Sequence, residues 1–199
     1  VHPRPDGRHI RFSDVRALKP QVRGEFNIEG YPEPAWLELV KEVSPHQATL
    51  VPDPPDALTS NAGFRVRESL DLLRESVRFL SGIRVSVFID PTDFSPEDAG
   101  LLASIGVGRI ELYTERYAET FGGPEAGAVL LGYQQAAKWA RAVGLGVNAG
   151  HDLNLLNLRA FQRAIPELDE VSIGHALICD ALEFGMEETV RRYLNSLSS

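Results

Sequence analysis

Apolar runs of strand length alternate with helical patterns along the whole of this chain, and that alternation restricts the fold more than any single motif does. Successive βα units bury their apolar faces as a parallel sheet covered by helices. Strands are expected over residues 25–30, 47–52, 84–90, 109–114, 146–150 and 170–174, with Val1-His2 as the last residues of another. The run Val85-Ser86-Val87-Phe88-Ile89 is apolar on both faces, as a strand covered on both sides must be. Helices are expected over 12–18 behind a Ser13/Asp14 cap, over 34–43 with Pro34 in the first turn, and over 66–80, where apolar residues recur at helical spacing. Further helices are expected over 95–105, opened by Ser95-Pro96-Glu97-Asp98, and over 127–143, 154–165 and 181–197.

Six strands and a stub do not match a six-stranded dinucleotide-binding sheet, and no G-x-G-x-x-G follows the first strand. One more βα unit of about 40 residues ahead of Val1 would complete an eight-stranded barrel of roughly 240 residues. The expected fold is an α/β TIM (β/α)8 barrel, with residues 1–199 forming a single domain that runs from the end of strand 2 to strand 8. The net charge of -8 argues against a nucleic-acid or anionic-membrane surface. An anionic substrate must then be held locally, by a few arginines and helix N-termini. The one cysteine, Cys179, cannot form an internal disulfide and fits a reducing cytoplasm. No apolar run approaches the ~20 residues of a membrane span.

In a parallel barrel the chemistry gathers at the carboxyl ends of the strands. Two apolar runs in the last third end in Gly150-His151 and Gly174-His175, each placing a titratable imidazole at such an end. His2, Glu29, Asp90 and Glu111 occupy the same kind of position, with Arg4, Arg8 and His9 just beyond the first stub. Carboxylates inside apolar runs are expensive to bury without partners, and histidines beside them suit proton transfer near neutral pH. Plainer readings stand alongside: structural salt bridges for Glu29 and Glu111, backbone caps for His151 and His175, and a turn for Asp90. Three histidines and two glutamates also look like the ligand set of a metal-dependent barrel, although no two share the spacing of a preformed pair. Phosphate is better supported, because residues 173–177 present backbone N–H groups where a helix is about to start. The polar loop 53–63 is long for a βα connection, as lids and binding loops are.

Seven motifs in order carry a resemblance over essentially the whole chain: His2-x-Arg4-x-Asp6-x-Arg8-His9-Ile10, Phe26-Asn27-Ile28-Glu29, Leu50-Val51-Pro52, Val85-Ser86-Val87-Phe88-Ile89-Asp90, Ile110-Glu111-Leu112, Val147-Asn148-Ala149-Gly150-His151 and Ile173-Gly174-His175-Ala176. Together they resemble the pyridoxine 5'-phosphate synthase family. The resemblance implies a condensation of 1-deoxy-D-xylulose 5-phosphate with 3-amino-2-oxopropyl phosphate by acid–base catalysis. The products are pyridoxine 5'-phosphate, phosphate and water, and neither metal nor redox cofactor is needed.

By position the resemblance implies His2 as a general base, Glu29 as a second proton acceptor, His151 as the proton donor and Glu111 as the stabiliser of a charged transition state. Arg4, His9 and Thr59 would hold the deoxyxylulose phosphate, with the 53–63 loop closing over it. Asp152, Gly174 and His175 would hold the aminoketone phosphate, Asp152 through its backbone because a glycine can stand there. The family implies a homo-oligomer, up to an octamer, without nucleic-acid or membrane partners. Its first strand carries Asn-x-Asp-His and its first helix a substrate-binding arginine, and neither lies within these residues. Two other readings remain: another phosphate-binding or metal-dependent barrel enzyme, such as an isomerase or aldolase, and an inactive truncated barrel acting as an oligomeric scaffold. Lys19, Lys41 and Lys138, the only lysines, all read as helical or helix-flanking, which counts against a Schiff-base aldolase.

Overall fold

The computed structural model describes residues 1–4, 6–53 and 62–198. Among them six strands form one all-parallel sheet in simple chain order. The strands are β1 (Asn27–Gly30), β2 (Gln47–Leu50), β3 (Arg84–Ile89), β4 (Arg109–Tyr113), β5 (Gly146–Gly150) and β6 (Leu168–Ser172). Helix α1 (Phe12–Leu18) precedes them; α2 (Pro34–Val43), α3 (Leu70–Phe79) and α4 (Pro96–Ser104) fill the next three crossovers. Helices α5 (Glu115–Thr120) and α6 (Ala126–Ala142) lie between β4 and β5, α7 (Leu158–Ala164) precedes β6, and α8 (His175–Phe184) and α9 (Met186–Leu197) close the chain. A doubly wound sheet would reverse its strand order at a switch point. This sheet never reverses, as in a βα barrel. The Glu29 amide donates to the Val1 carbonyl at 2.8 Å, so Val1 extends the sheet past β1 as the stub reading expects.

The sheet is curled. Gln47 Nε2 on β2 donates to Glu170 Oε2 on β6 at 3.3 Å. In a flat sheet those strands would stand roughly 19 Å apart, so the side chains meet only because the strands wrap around a shared interior.

The two faces of the sheet differ, and the alternation of side chains along each strand explains why. Ile28, Ala48, Leu50, Val85, Val87, Ile110, Leu112, Val147 and Ala149 face the helices and are buried in one core with Trp36, Leu39, Leu73, Leu102, Ala136, Ala140 and Phe161. Each fully buried large side chain contributes roughly 1.5–3 kcal/mol. The intervening positions face the interior and are largely polar: Asn27, Glu29, Gln47, Thr49, Ser86, Arg109, Glu111, Asn148 and Glu170. Buried polar groups need partners, and the lower interior supplies them to most of these residues, the Ser86 hydroxyl excepted. Arg109 pairs with Glu170 at 2.8 Å and with Asn148 Oδ1 at 3.2 Å, while Arg84 Nε donates to Gln47 Oε1 at 2.9 Å. Towards the carboxyl ends, Val51, Phe88 and Tyr113 form a separate small apolar cluster.

Element ends depart from expectation for local reasons. Helix α1 has the expected span, but its cap is Arg11 rather than Ser13/Asp14; Asp14 reaches back to accept from the Arg11 amide at 2.9 Å. Ser95 caps α4 as expected and closes a capping box with Asp98. Helix α3 starts later than expected, residues 66–69 being a turn. Helix α7 is shorter because Asn154 Oδ1 accepts from the Leu156 amide at 2.9 Å and holds a turn ahead of it. Strand β6 lies two residues earlier than expected. The single closing helix expected over 181–197 is two helices, divided at Gly185, whose φ of +81° no continuous helix accommodates. Among the described residues no helix is long and apolar enough to cross a membrane.

Candidate active site

The carboxyl ends of the strands bring together most of the residues singled out from the sequence. At the end of β1, Glu29 Oε1 lies 3.3 Å from His2 Nδ1. The next residue must be glycine: a Cβ on Gly30 would sit 2.2 Å from Trp36 Nε1. The indole occupies that space and donates to the Glu29 carbonyl at 3.2 Å, which holds the carboxylate-bearing residue in place. Trp36 is a packing residue, as its sequence context suggests. Arg4 is almost buried (8% exposed) and lines a small pocket with His2, Tyr31, Glu33, Trp36 and Asp53.

Glu111, in the middle of β4, is 1% exposed. Asn27 Nδ2 donates to Thr49 Oγ1 at 3.0 Å, and Thr49 Oγ1 lies 3.4 Å from Glu111 Oε2, a relay across three strands. Gly150 faces the other side of this carboxyl, where a Cβ would come within 2.7 Å of both Glu111 Oε1 and the Ser172 carbonyl.

Two carboxyls in one interior are driven apart. Burial first, then the neighbouring charges of Glu29 and Glu170, pushes Glu111 well above the usual carboxylate range. Burial works the same way on Glu29, but its hydrogen bond with His2 and nearby positive charge outweigh it and hold Glu29 below its ordinary value. The two carboxyls thus differ in proton affinity, Glu29 holding its proton less tightly and Glu111 more tightly than an ordinary glutamate, the separation by which a site obtains a base and an acid from the same residue type.

His151 follows β5 with φ +86°, a left-handed conformation that a histidine rarely adopts. Its amide donates to the Ser172 carbonyl at 3.1 Å, and its ring meets the edge of Tyr113 with centroids 5.7 Å apart. His151 Nδ1 lies 2.8 Å from Asp152 Oδ2. That hydrogen bond, against the opposing effect of burial and with the added charges of Asp152 and Glu29, raises the imidazole above its ordinary value. Thr114, fully buried, ties this segment to β4: its hydroxyl donates to the Gly150 carbonyl and accepts from the Asp152 amide at 3.2 Å. The backbone donor expected to serve a phosphate at Asp152 is thus engaged within the protein.

At the end of β6, Gly174 is the N-cap of α8 and His175 its first residue, so the first-turn amides emerge there without helical partners. The His9 ring stands edge-on to His175, with centroids 6.3 Å apart, which brings together two histidines from opposite ends of the chain. Asp90 keeps its plainer reading: its Oδ1 accepts from the Thr92 amide at 2.9 Å and hydroxyl at 2.7 Å, an Asx turn. Arg8 pairs with Asp6. Thr59, and residues 54–61 of the loop expected to close, lie outside the described residues. Among the described residues no group of three or more His, Cys, Asp or Glu is arranged to hold a metal ion.

Sequence reasoning missed Thr49, Asn27, Thr114 and Tyr113. The period of two along β1 and β2 would have placed Asn27 and Thr49 on the face of Glu29. Thr114 left no such signal, because its two partners belong to another strand end.

Just beyond the loop, Phe64 donates to the Phe88 carbonyl at 2.8 Å, and a Cβ on Gly63 would lie 1.9 Å from the Asp90 amide nitrogen. Backbone at that distance cannot step aside. Gly63→Ala is expected to destabilise the fold by at least about 2 kcal/mol, read as a lowered Tm; an unchanged Tm would contradict this packing.

A curled parallel βα sheet whose strand ends gather histidines, two carboxyls of opposite shift and a helix N-terminus is the arrangement of a TIM-barrel-type enzyme, with groups suited to proton transfer. The family model described as "Pyridoxal phosphate biosynthesis protein PdxJ" matches residues 1–199, and the chain belongs to that family. It is 54% identical over 201 residues to the pyridoxine 5'-phosphate synthase of Parabacteroides distasonis, covering 100% of this chain and 83% of that protein. With the pyridoxine 5'-phosphate synthase of Bacteroides fragilis it shares 53% identity over 199 residues, 99% of this chain and 82% of the relative.

Solved structures support the fold alone. A mutant tryptophan synthase alpha-subunit from Pyrococcus furiosus superposes with a TM-score of 0.60 at 16% identity, covering 94% of this chain and 71% of that one. Phosphoribosyl anthranilate isomerase from Thermococcus kodakaraensis gives a TM-score of 0.58 at 12% identity, covering 100% and 86%. The family expected from the motifs is the one found, and the curled six-stranded parallel sheet agrees with the barrel expected from the βα alternation.

Proposed function

We propose that this chain condenses 1-deoxy-D-xylulose 5-phosphate with 3-amino-2-oxopropyl phosphate to give pyridoxine 5'-phosphate, phosphate and water. The observation that carries the proposal is the gathering of acid–base pairs at the strand ends, His2 3.3 Å from Glu29 and His151 2.8 Å from Asp152, with Glu29 held low and Glu111 and His151 held high. Imine formation, dehydration, phosphate elimination and ring closure each move a proton, and none moves a hydride. In imine formation His2, with Glu29 beside it, takes protons from the attacking nitrogen. Departing water or phosphate needs an acid at its oxygen, and His151 supplies that proton. Glu111, kept neutral, offers an O–H to developing negative charge without adding a second charge of its own.

Arg4, His9 and Thr59 hold the deoxyxylulose phosphate, and Gly174 and His175, with the first-turn amides of α8, hold the aminoketone phosphate. Asp152 stands beside that second phosphate. A homo-oligomer, up to an octamer, and a cytoplasmic location belong to the same reading. Exposed Ile178 and Leu182 on α8 and Met186 and Leu194 on α9 offer apolar surface for such an assembly, and light scattering measures its mass directly. The central test is incubation of the purified chain with both substrates. Pyridoxine 5'-phosphate and stoichiometric inorganic phosphate are expected, and substrate binding without either product would overturn the assignment.

A further inference from the structure

We infer that Asp152 is a positioning residue for the proton donor: its carboxylate holds His151 Nδ1 and so commits the opposite ring nitrogen, Nε2, to the substrate. This inference rests on the donor role proposed for His151. Adjacent residues in extended backbone project to opposite sides, so a hydrogen bond between the side chains of 151 and 152 is not a product of ordinary strand geometry. The left-handed turn at His151, φ +86°, brings the two side chains to one side, with Nδ1 and Oδ2 2.8 Å apart.

Such a conformation is strained and persists only where surrounding contacts impose it. Here they do so from both sides. The His151 amide is bound by the Ser172 carbonyl at 3.1 Å, the Asp152 amide by Thr114 Oγ1 at 3.2 Å, and the Asp152 carbonyl accepts from Asn157 Nδ2 at 3.3 Å. Asn157, almost fully buried, is itself fixed by accepting from the Asn154 amide at 2.8 Å. The carboxylate is thus presented to the imidazole by a rigid frame. A group whose tautomer and ring plane are set by such a partner is preorganised for transfer through its other nitrogen.

The charges around the ring agree in sign. The hydrogen bond from Asp152 raises the imidazole against the effect of burial, and the more distant carboxylates Glu29 on β1 and Glu115 on α5 add to it. Tyr113 on β4 meets the ring edge-on, its own hydroxyl donating to Glu115 at 2.7 Å. Removing the Asp152 charge leaves the weaker contributions and the burial, so the imidazolium loses its proton at lower pH.

The test compares wild type with Asp152→Asn and Asp152→Glu, after thermal melts establish that all three fold. First, the His151 ring is titrated by NMR in the substrate-free protein. Its midpoint is expected to fall by about one pH unit in D152N and to return in D152E. Second, kcat and KM are followed against pH. The alkaline limb of kcat is expected to move to lower pH by the same amount, with kcat at pH 8 down roughly tenfold and both KM values within about twofold of wild type. An unmoved His151 titration overturns the inference. So does a raised KM for the aminoketone phosphate with an unmoved kcat profile, which would make the Asp152 carboxylate serve substrate binding and not the His151 ring. A wild type that titrates as expected but forms no pyridoxine 5'-phosphate supports the pair and overturns the proposed reaction instead.

Discussion

Changing His151 to alanine is expected to lower kcat on the order of a thousandfold while leaving the fold standing. The imidazole side chain is 27% exposed and belongs to neither the main core nor the smaller Val51–Phe88–Tyr113 cluster, so its removal opens no sealed cavity. What is lost is an imidazole at the mouth that is raised above its ordinary value and held by a rigid partner. Steady-state rates with both substrates measure the effect, and rates near wild type would end the donor assignment. Alanine inherits the left-handed backbone, φ +86°, whereas glycine accepts it without strain. His151→Gly should therefore be more stable than His151→Ala by about 1 kcal/mol, though equally inactive. Equal stability would mean that the backbone stores no strain at this position.

Glu111 supplies the second large effect, with opposite signs for activity and stability. Its carboxyl is enclosed by Thr49, Gly150 and the Glu29 and Glu170 charges, and it keeps its proton well above the usual range. In the unfolded chain the same carboxyl ionises near its ordinary value of 4.5. Between that value and the raised folded one, the folded state binds a proton that the unfolded state has released. The contribution of Glu111 to stability is thus fully present below about pH 4.5 and is lost as pH rises towards the folded value. Glutamine has the same shape, keeps a polar atom facing Thr49 and never ionises. Glu111→Gln is expected to melt at or below the wild-type temperature at pH 4 and above it at pH 8. A difference in Tm that does not change with pH would show that Glu111 is ionised in the native protein.

Turnover should respond the other way. Leucine removes the donor aimed at developing charge and is expected to cost on the order of a hundredfold or more in kcat. Glutamine still offers an N–H and should lose less. This is a stability–function trade held in one side chain.

The strands were legible because their outward residues, such as Val85, Val87 and Ile89, must be apolar wherever helices cover them. Helices Phe12–Leu18 and Pro34–Val43 were legible to the residue from periodicity and a first-turn proline. Less legible was the break at Gly185, since a glycine within an amphipathic pattern reads equally as a tolerated interruption. His2, Glu29, Glu111 and His151 stood out as titratable groups at strand-length apolar runs. Asn27, Thr49 and Thr114 did not, because each acquires its role only from a partner on another strand.

By itself the sequence determined the βα alternation, the strand ends that carry titratable groups and, through seven ordered motifs, the family. Those features follow from local periodicity and residue type, which need no knowledge of neighbours in space. Only the tertiary structure decided which carboxyl holds its proton less tightly and which more, that Asp152 turns its carboxylate to His151, and that His9 meets His175 across the mouth. Protonation depends on burial and on charges delivered by several strands at once, and that arrangement exists only after the sheet has curled.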